Sequence, residues 1–468
     1  MQSTGRKYSL RDNLDYDNSS IESIFNHALR LTGNSLEDLV NLPERTLDKN
    51  SRGRLGNLVE TYYFGIQQNS EQEPDFKEVG LELKVTGVTQ SKTKKNLQRG
   101  TFQAKERLVL TMIDFEKLIS ETWSSSALLK KAGKMLILFY LFDRNTPDTQ
   151  RKFVLEPMLY EIPNEDLVII QRDWETIRSK VEQGKAHELS EGDTYYLGAC
   201  RKGSGGVAEK GRRQPNSQTE APSRAFCLKQ SYVSRLVLNH SLKHSLVTDA
   251  SVEQYMQLGI DSKLSFEDAT KLRYEQYIGR TVKELSNLLG LHQSGKNQKG
   301  FHRMLANRML SGGNGTVVEL QKAGIELKTI RLNRSGNPRE AMSFPGFKFQ
   351  DIVDEKWEDS SFFQKLEQRF LFVIYQTDAE GIERLIKVAY WNMPYQDRVE
   401  AEKVWEETKR RVKDGITQFP KSSENRVAHV RPKARNKQDT LLTPQGVAIT
   451  KQCFWLNNKY IADVINAL

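Results

Sequence analysis

Cysteine is scarce in this chain, which has only three, Cys200, Cys227 and Cys453. Their wide spacing and odd number predict neither a disulfide framework nor a paired-cysteine zinc site. Apolar runs long enough to span a membrane are also lacking, and the longest, from Met135 to Phe142, predicts a buried strand. We therefore expect a protein of a reducing cytoplasm, without a membrane partner.

Proline is sparse as well, with 13 residues, whereas 37% of the chain is hydrophobic, which is enough to build folded cores. The length of 468 residues predicts two or more domains. Lys and Arg total 70 against 60 Asp and Glu, so the net charge is +10. This excess favours, without proving, binding to a polyanion such as nucleic acid.

The sequence repeats itself in a preserved order. GLELK at Gly80 to Lys84 recurs as GIELK at Gly324 to Lys328. Further matches join GRLGNLVE (Gly53 to Glu60) to GFHRMLAN (Gly300 to Asn307), Trp174-Glu175 to Trp405-Glu406, Lys202 to Lys433, and Phe226 to Phe454. We predict two tandem α/β domains of one fold, each with a mixed central sheet flanked by helices.

The domain boundaries are predicted from the place where the periodic pattern breaks. Residues 1–245 form the first domain, 246–263 a linker and 264–468 the second domain. Ser265, followed by Asp268, predicts the N-cap of the helix that opens the second domain.

One segment of the first domain carries chemistry, EPDFKEVGLELKVT from Glu73 to Thr86. Side chains alternate along a strand, so Glu82 and Lys84 project together while Leu83 faces a core. A turn ending at Gly80 can return Asp75 to the same side.

Two carboxylates and an ammonium suit phosphodiester hydrolysis, because Mg²⁺ prefers carboxylate oxygens and neutralises charge on phosphorus. Asp75, Glu82 and the Leu83 carbonyl would hold the ion, and Lys84 would orient the attacking water. Glu60, on the preceding helix, could join them. Taken alone, the pattern also fits an amphipathic edge strand with an ion-paired face.

The segment around these residues resembles a known family. EPDFKEVGLELK, the basic loop after it and KERLVL (Lys105 to Leu110) are similar to the active-site region of MutH-like nucleases, and most similar to GATC-cleaving restriction endonucleases with two MutH-like domains. The resemblance extends to CRKG (Cys200 to Gly203), RAFCLKQSY (Arg224 to Tyr232) and HVRPKA (His429 to Ala434). It covers nearly the whole chain.

The resemblance implies a bacterial restriction enzyme that binds Mg²⁺ and cuts double-stranded DNA on the 5′ side of the G in GATC. It implies that Asp75, Glu82 and Lys84 are catalytic, with Glu60 as the additional helix carboxylate. Lys202 falls where the family contacts bases. The family often has Arg-Pro-Lys at this place, and Arg431 to Lys433 match it. In the first copy, Cys200-Arg201 stands in place of the Arg-Pro. Arg201 is still able to read guanine.

Basic residues mark the predicted DNA surface. A run just after the catalytic segment can bind backbone phosphates, although a solvated loop is the alternative. The residues assigned to DNA are Lys92, Lys94, Lys95, Arg99, Lys105, Arg107, Arg201, Lys202, Lys229, Arg431 and Lys433.

The second copy departs from the catalytic pattern. Glu319 stands at the position of Asp75 and Asn307 at that of Glu60, while Glu326 and Lys328 are retained. A longer ligand and a missing carboxylate weaken an octahedral magnesium site. We predict a DNA-binding effector domain that occupies a second recognition site, and a homodimer on DNA for cleavage of both strands.

Three alternatives remain open. In one, both halves cut one strand each, since Glu can replace Asp in some metal sites. A repair enzyme that nicks one strand would need only one such domain, and a non-catalytic DNA-binding protein would have no use for an intact Asp75, Glu82, Lys84 and Glu60.

Overall fold

The computed structural model describes most of the chain. The described residues are 15–43, 53–67, 73–91, 101–202, 211–243, 255–256, 258, 264–291, 300–312 and 316–468.

The first half contains seven helices and nine strands among these residues. The helices are α1 (Ile21–Leu29), α2 (Leu36–Leu39), α3 (Arg54–Leu58), α4 (Phe115–Leu118), α5 (Ala127–Ala132), α6 (Asn164–Glu182) and α7 (Gln230–Lys243). The strands are β1 (Glu82–Gln90), β2 (Phe102–Ala104), β3 (Leu108–Met112), β4 (Lys134–Leu141), β5 (Met158–Glu161), β6 (Leu197–Arg201), β7 (Arg212–Gln214), β8 (Ser217–Ala221) and β9 (Arg224–Leu228).

The remainder of the described chain continues the series. The helices are α8 (Phe266–Glu275), α9 (Val282–Leu288), α10 (Phe301–Ser311), α11 (Val318–Ala323), α12 (Phe349–Ile352), α13 (Ser361–Leu366), α14 (Tyr395–Lys413) and α15 (Asn458–Ala467). The strands are β10 (Tyr255–Met256), β11 (Thr316–Val317), β12 (Glu326–Leu332), β13 (Met342–Gly346), β14 (Phe370–Thr377), β15 (Glu383–Trp391), β16 (Ala428–Pro432), β17 (Thr440–Leu442), β18 (Ala448–Thr450) and β19 (Gln452–Leu456).

The two halves share one sheet topology. In the first, the strand orders are β2-β1-β4-β5 and β3-β9-β6, with a β7-β8 hairpin; in the second they are β12-β14-β15 and β13-β19-β16, with a β17-β18 hairpin. In each half the strand that carries the ELK motif runs parallel to the next long strand, which then pairs antiparallel with its successor. The prediction of two tandem α/β domains with mixed sheets is confirmed.

Each half also has one long helix, α6 or α14, of 19 residues. Proline stands at both N-caps, Pro163 and Pro394, where its fixed φ and missing N–H suit a helix start. Trp174 and Trp405 occupy corresponding buried positions on these helices, so the Trp-Glu match in the sequence reflects a shared packing contact.

The region between the halves is described only in part. Ser265 caps α8 by accepting a hydrogen bond from the Asp268 N–H, as predicted. Within the predicted linker, β10 pairs in parallel with β11, and the Leu258 N–H donates to Glu319. Part of this segment therefore packs on the second half, and the domain boundaries stay a prediction.

One of the three main hydrophobic cores contains residues of both halves. One core lies within the first half, around α1, α3 and β1, and another within the second, around β14 and α14. A third and larger core contains residues of both, including Phe139 and Trp174 from the first half and Phe301 and Leu371 from the second. The halves are thus joined by apolar packing as well as by polar contacts.

Among the described residues, no helix is long and apolar enough to cross a bilayer. All three cysteines are buried free thiols.

Candidate active site

A tight hairpin brings Asp75 next to Glu82. Gly80 turns the chain with φ of 61°, a left-handed conformation that side chains disfavour, and Phe76 then pairs antiparallel with Leu81. The Asp75 N–H donates to Glu82 Oε2 (3.3 Å), and the Leu83 N–H donates to Asp75 Oδ2 (2.9 Å). The turn that was expected from the sequence thus places both carboxylates at one edge of β1.

Lys84 reaches the same point from β1. Its Nζ donates to Glu82 Oε1 (2.7 Å) and to the Leu110 carbonyl (3.2 Å). Burial raises the pKa of Glu82 to about 7; Asp75 adds to this effect, and Lys84 and Lys131 oppose it. The carboxyl is therefore poised near neutral pH, as at many sites that bind ions or move protons.

Glu60 comes from a widened π-type turn, Val59–Tyr63, that continues α3. Burial raises its pKa, the charge of Asp75 raises it further, and Lys84 and Lys131 lower it. The influence of these three residues places Glu60 within the electrostatic field of the cluster. The four residues proposed from the sequence are therefore brought together.

Lys131 was missed by the sequence analysis. It lies on α5 with its Nζ 3.8 Å from Glu82 Oε1, and only 18% of its side chain is exposed. A signal was present, because Trp123, Ser126 and Lys131 recur with equal spacing as Trp357, Ser360 and Lys365. The motif was obscured because the residues between these positions differ.

The donor set fits a hard divalent cation. Asp75 and Glu82 supply carboxylate oxygens. In a strand, the N–H and the carbonyl of one residue point to the same edge. Because the Leu83 N–H donates to Asp75, the Leu83 carbonyl also points to the side of Asp75. Within the described residues, no group of three or more His, Cys, Asp or Glu side chains has a metal-binding arrangement. The set is instead two carboxylates and one carbonyl.

The corresponding place in the second half is built differently. Lys328 and Lys365 both pair with Glu326, at 2.8 and 3.1 Å. Glu319 lies in the first turn of α11, and its Oε1 accepts from the Leu258 N–H at 2.8 Å. Among the described residues Glu319 makes no hydrogen bond to Glu326 or to β12, so the carboxylate pair of the first half is not reproduced.

The predicted phosphate-binding loop is described only at its end. Lys92, Lys94, Lys95 and Arg99 lie outside the described residues. Lys105 stacks its ammonium 3.4 Å from the Phe142 ring centroid, and Arg107 donates to Glu191. Both remain candidates for DNA contact near the site.

The predicted base-reading residues occupy equivalent strand ends in the two halves. The Lys202 N–H donates to the Ser223 carbonyl, and the Lys433 N–H donates to that of Lys451, at corresponding positions beside the hairpins. Arg201 is ion-paired with Glu358 of the second half at 2.7 Å.

Arg431 and Lys433 belong to the second of these strand ends. Both are exposed, and Arg431 stacks 3.8 Å from the Trp455 ring. The Lys433 ammonium donates to Ser343 and to the Phe344 carbonyl.

The assignment of Lys229 to DNA is wrong. The residue is 5% exposed, and its ammonium donates to the carbonyls of Glu191 and Thr194. Burial lowers its pKa, whereas Asp173 opposes that shift. Lys229 thus anchors main chain inside the domain, and a sequence pattern of alternating residues cannot separate such a lysine from a surface one.

Comparison with known proteins places this architecture in a family. The model of the DNA mismatch repair enzyme MutH matches residues 64–173 and 311–402, one segment in each half. The type II restriction enzyme Sau3AI of Staphylococcus aureus is 30% identical over 96% of this chain and 98% of its own. The DNA mismatch repair protein MutH of Shewanella woodyi is 30% identical over 40% of this chain and 78% of its own, and that of Serratia proteamaculans is 26% identical over 47% and 92%. The chain therefore belongs to the MutH-like family of type II restriction endonucleases.

Proposed function

We propose that this nuclease hydrolyses double-stranded DNA at GATC, on the 5′ side of the G in both strands, with Mg²⁺ as cofactor. The observation that carries the proposal is the convergence of Asp75, Glu82 and Lys84 at one strand edge. The sequence resemblance supports GATC as the site. The similarity to a type II restriction enzyme along nearly the full chain supports cleavage over nicking or simple binding.

Each residue of the cluster has a chemical role. Asp75, Glu82 and the Leu83 carbonyl hold the magnesium ion, which when bound supplies positive charge against the scissile phosphate. Lys84 orients the attacking water and stabilises negative charge on the phosphate oxygens in the transition state. Glu60 holds a further cation or fixes Lys84, and Lys131 helps to compensate the charge of Glu82.

The two halves have different roles because the carboxylate pair of the first half is not reproduced in the second. We assign residues 1–245 to catalysis and 264–468 to binding of a second recognition site, with 246–263 as linker. One intact site per chain requires two chains for cleavage of two strands, so the enzyme acts as a homodimer on DNA. Arg201 and Lys202 contact bases in the first domain, and Arg431 and Lys433 do so in the second.

Digestion of unmethylated plasmid DNA tests the proposal. Wild type, Asp75→Ala and Glu319→Ala proteins are incubated with Mg²⁺, and the fragment ends are sequenced. We expect cuts 5′ of the G in GATC that disappear with Asp75→Ala and persist with Glu319→Ala. Tight DNA binding by the wild type without any cutting would refute the enzymatic function, and cuts at another sequence would refute the specificity.

A further inference from the structure

The two copies of the site differ in their balance of charged groups. In the first half three carboxylates, Glu60, Asp75 and Glu82, outnumber the ammonium groups of Lys84 and Lys131. In the second half Asn307 replaces the first carboxylate and Glu319 is engaged by Leu258. Glu326 is the carboxylate left on β12, and it is bound by two lysines.

Three arginines line the same cavity as Glu326, and one of them, Arg235, comes from α7 of the first half. Arg303 and Arg308 lie on α10, and both line the cavity of about 880 Å³ that Glu326 and Lys365 also line. Among the described residues neither arginine forms an ion pair, and Arg303 is exposed. Their charges are therefore available to a ligand.

The structure supports the alignment of the two copies on which this comparison of charges depends. Gly53 and Gly300 cap α3 and α10 in the same left-handed conformation, with φ of 77° and 86°. Counted from these glycines, Arg303 corresponds to Gly56 and Arg308 to Thr61. Two neutral positions of the catalytic copy are thus cationic in the second copy, in addition to the loss of carboxylates.

We propose that the cavity beside Glu326 is a phosphate-binding site for the DNA backbone that works without a metal ion. Among the described residues, one carboxylate lines this cavity, Glu326, against four cations, Lys365, Arg303, Arg308 and Arg235, and Lys328 pairs with Glu326 from β12. Side-chain cations bind phosphodiesters directly, whereas an excess of carboxylates repels them until a metal ion is bound. The inference rests on the proposed function, since it specifies how the second half holds DNA.

Binding of a fluorescent GATC duplex to the full-length chain in EDTA tests the site. We expect the wild type to bind, and an Arg303→Gln/Arg308→Gln protein to bind about tenfold more weakly or worse. The dependence of log K on log salt should fall by about one unit per arginine removed. Lys413→Gln removes an exposed charge at the end of α14, outside the cavity, and should leave both quantities unchanged.

Asn307 provides a matched pair of variants at one exposed position. Asn307→Glu restores the carboxylate of the catalytic copy and should weaken binding in EDTA, with recovery on addition of Mg²⁺. Asn307→Gln adds the same bulk without charge and should bind more tightly in EDTA than Asn307→Glu. Circular dichroism establishes that both proteins are folded.

Several outcomes decide the matter. Loss of wild-type binding in EDTA, or equal binding by the double arginine variant, would overturn the inference. Binding of inorganic phosphate through the arginines without binding of the duplex would also overturn it. If plasmid cleavage fails while binding in EDTA still depends on the arginines, the inference stands and the proposed function does not.

Discussion

Lys131 and Lys130 are neighbours on α5 but face different surroundings. The Lys131 ammonium lies 3.8 Å from Glu82, whereas Lys130 is exposed. We predict that Lys131→Ala lowers the single-turnover rate of cleavage by about 100-fold, because it removes the cation that compensates the charge of Glu82, and the loss of one electrostatic contact in an active site costs about that much. Lys130→Ala is the control and should cut at the wild-type rate. Equal rates for the two variants would exclude Lys131 from the site.

The raised pKa of Glu82 predicts a dependence of cleavage on pH. Its value of about 7 means that the carboxyl is mostly protonated below neutral pH, and a protonated carboxyl binds metal poorly. Single-turnover rates at limiting Mg²⁺ should therefore rise by about tenfold between roughly pH 6 and pH 8. Saturating Mg²⁺ should move the midpoint to lower pH, because the bound ion favours the ionised form. A profile that is flat at both concentrations would contradict this assignment.

At the scale of single residues, local spacing could be read from the sequence and tertiary contacts could not. Asp75, Glu82 and Lys84 lie within one hairpin, so alternation and the Gly80 turn were enough to group them. Lys131 reaches them from a different helix, and no local pattern encodes that contact. The prediction for Lys229 was wrong for a related reason, because its partners, the carbonyls of Glu191 and Thr194, are distant in sequence.

Among the elements, the hairpin at Gly80 sets the geometry of the carboxylates. A Cβ at this glycine would meet nothing within 4 Å, so only its φ of 61° resists substitution. We predict that Gly80→Ala costs about 1 kcal/mol of stability and lowers cleavage by shifting Asp75 relative to Glu82.

Gly279 provides a matched control in the second half. Its φ is 84° and the space around it is equally open, so Gly279→Ala should cost a similar free energy of unfolding. Urea unfolding and plasmid cleavage are measured for both variants. The prediction is wrong if the two proteins lose activity equally.

Helices and strands with strong hydrophobic periodicity could be predicted from the sequence, whereas the segment that connects the two halves could not. The buried run at Met135 to Phe142 forms β4, and the Trp-Glu segments form the two long helices. Within the predicted linker, however, β10 pairs with β11 over only two residues. So short a strand has no period to detect, and its pairing depends on a partner about 60 residues away in the chain.

For the whole molecule, two domains could be predicted from the repeat, but their shared core could not. The residues that meet between the halves, such as Trp174 and Phe301, look like the interior residues of any domain. The interface also includes buried charge: Arg398 of the second half pairs with Glu367 of the same half and donates to the Glu188 carbonyl of the first half. Such packing predicts that the halves unfold together in one cooperative transition.

The ion pair of Lys322 and Asp166 joins α11 to α6 and allows that cooperativity to be tested. The Lys322 ammonium lies 2.7 Å from both Asp166 carboxylate oxygens, and the two side chains are 16% and 3% exposed. Lys322→Met should cost about 3 kcal/mol, because among the described residues it leaves the buried Asp166 carboxylate with only the Tyr232 hydroxyl as a side-chain donor. Lys134→Met breaks an exposed pair with Glu161, within one half, and should cost less than about 0.5 kcal/mol.

Scanning calorimetry should show one transition for wild type, a clear fall in its midpoint for Lys322→Met and almost none for Lys134→Met. Two separate transitions in the wild type would mean that the shared core does not couple the halves.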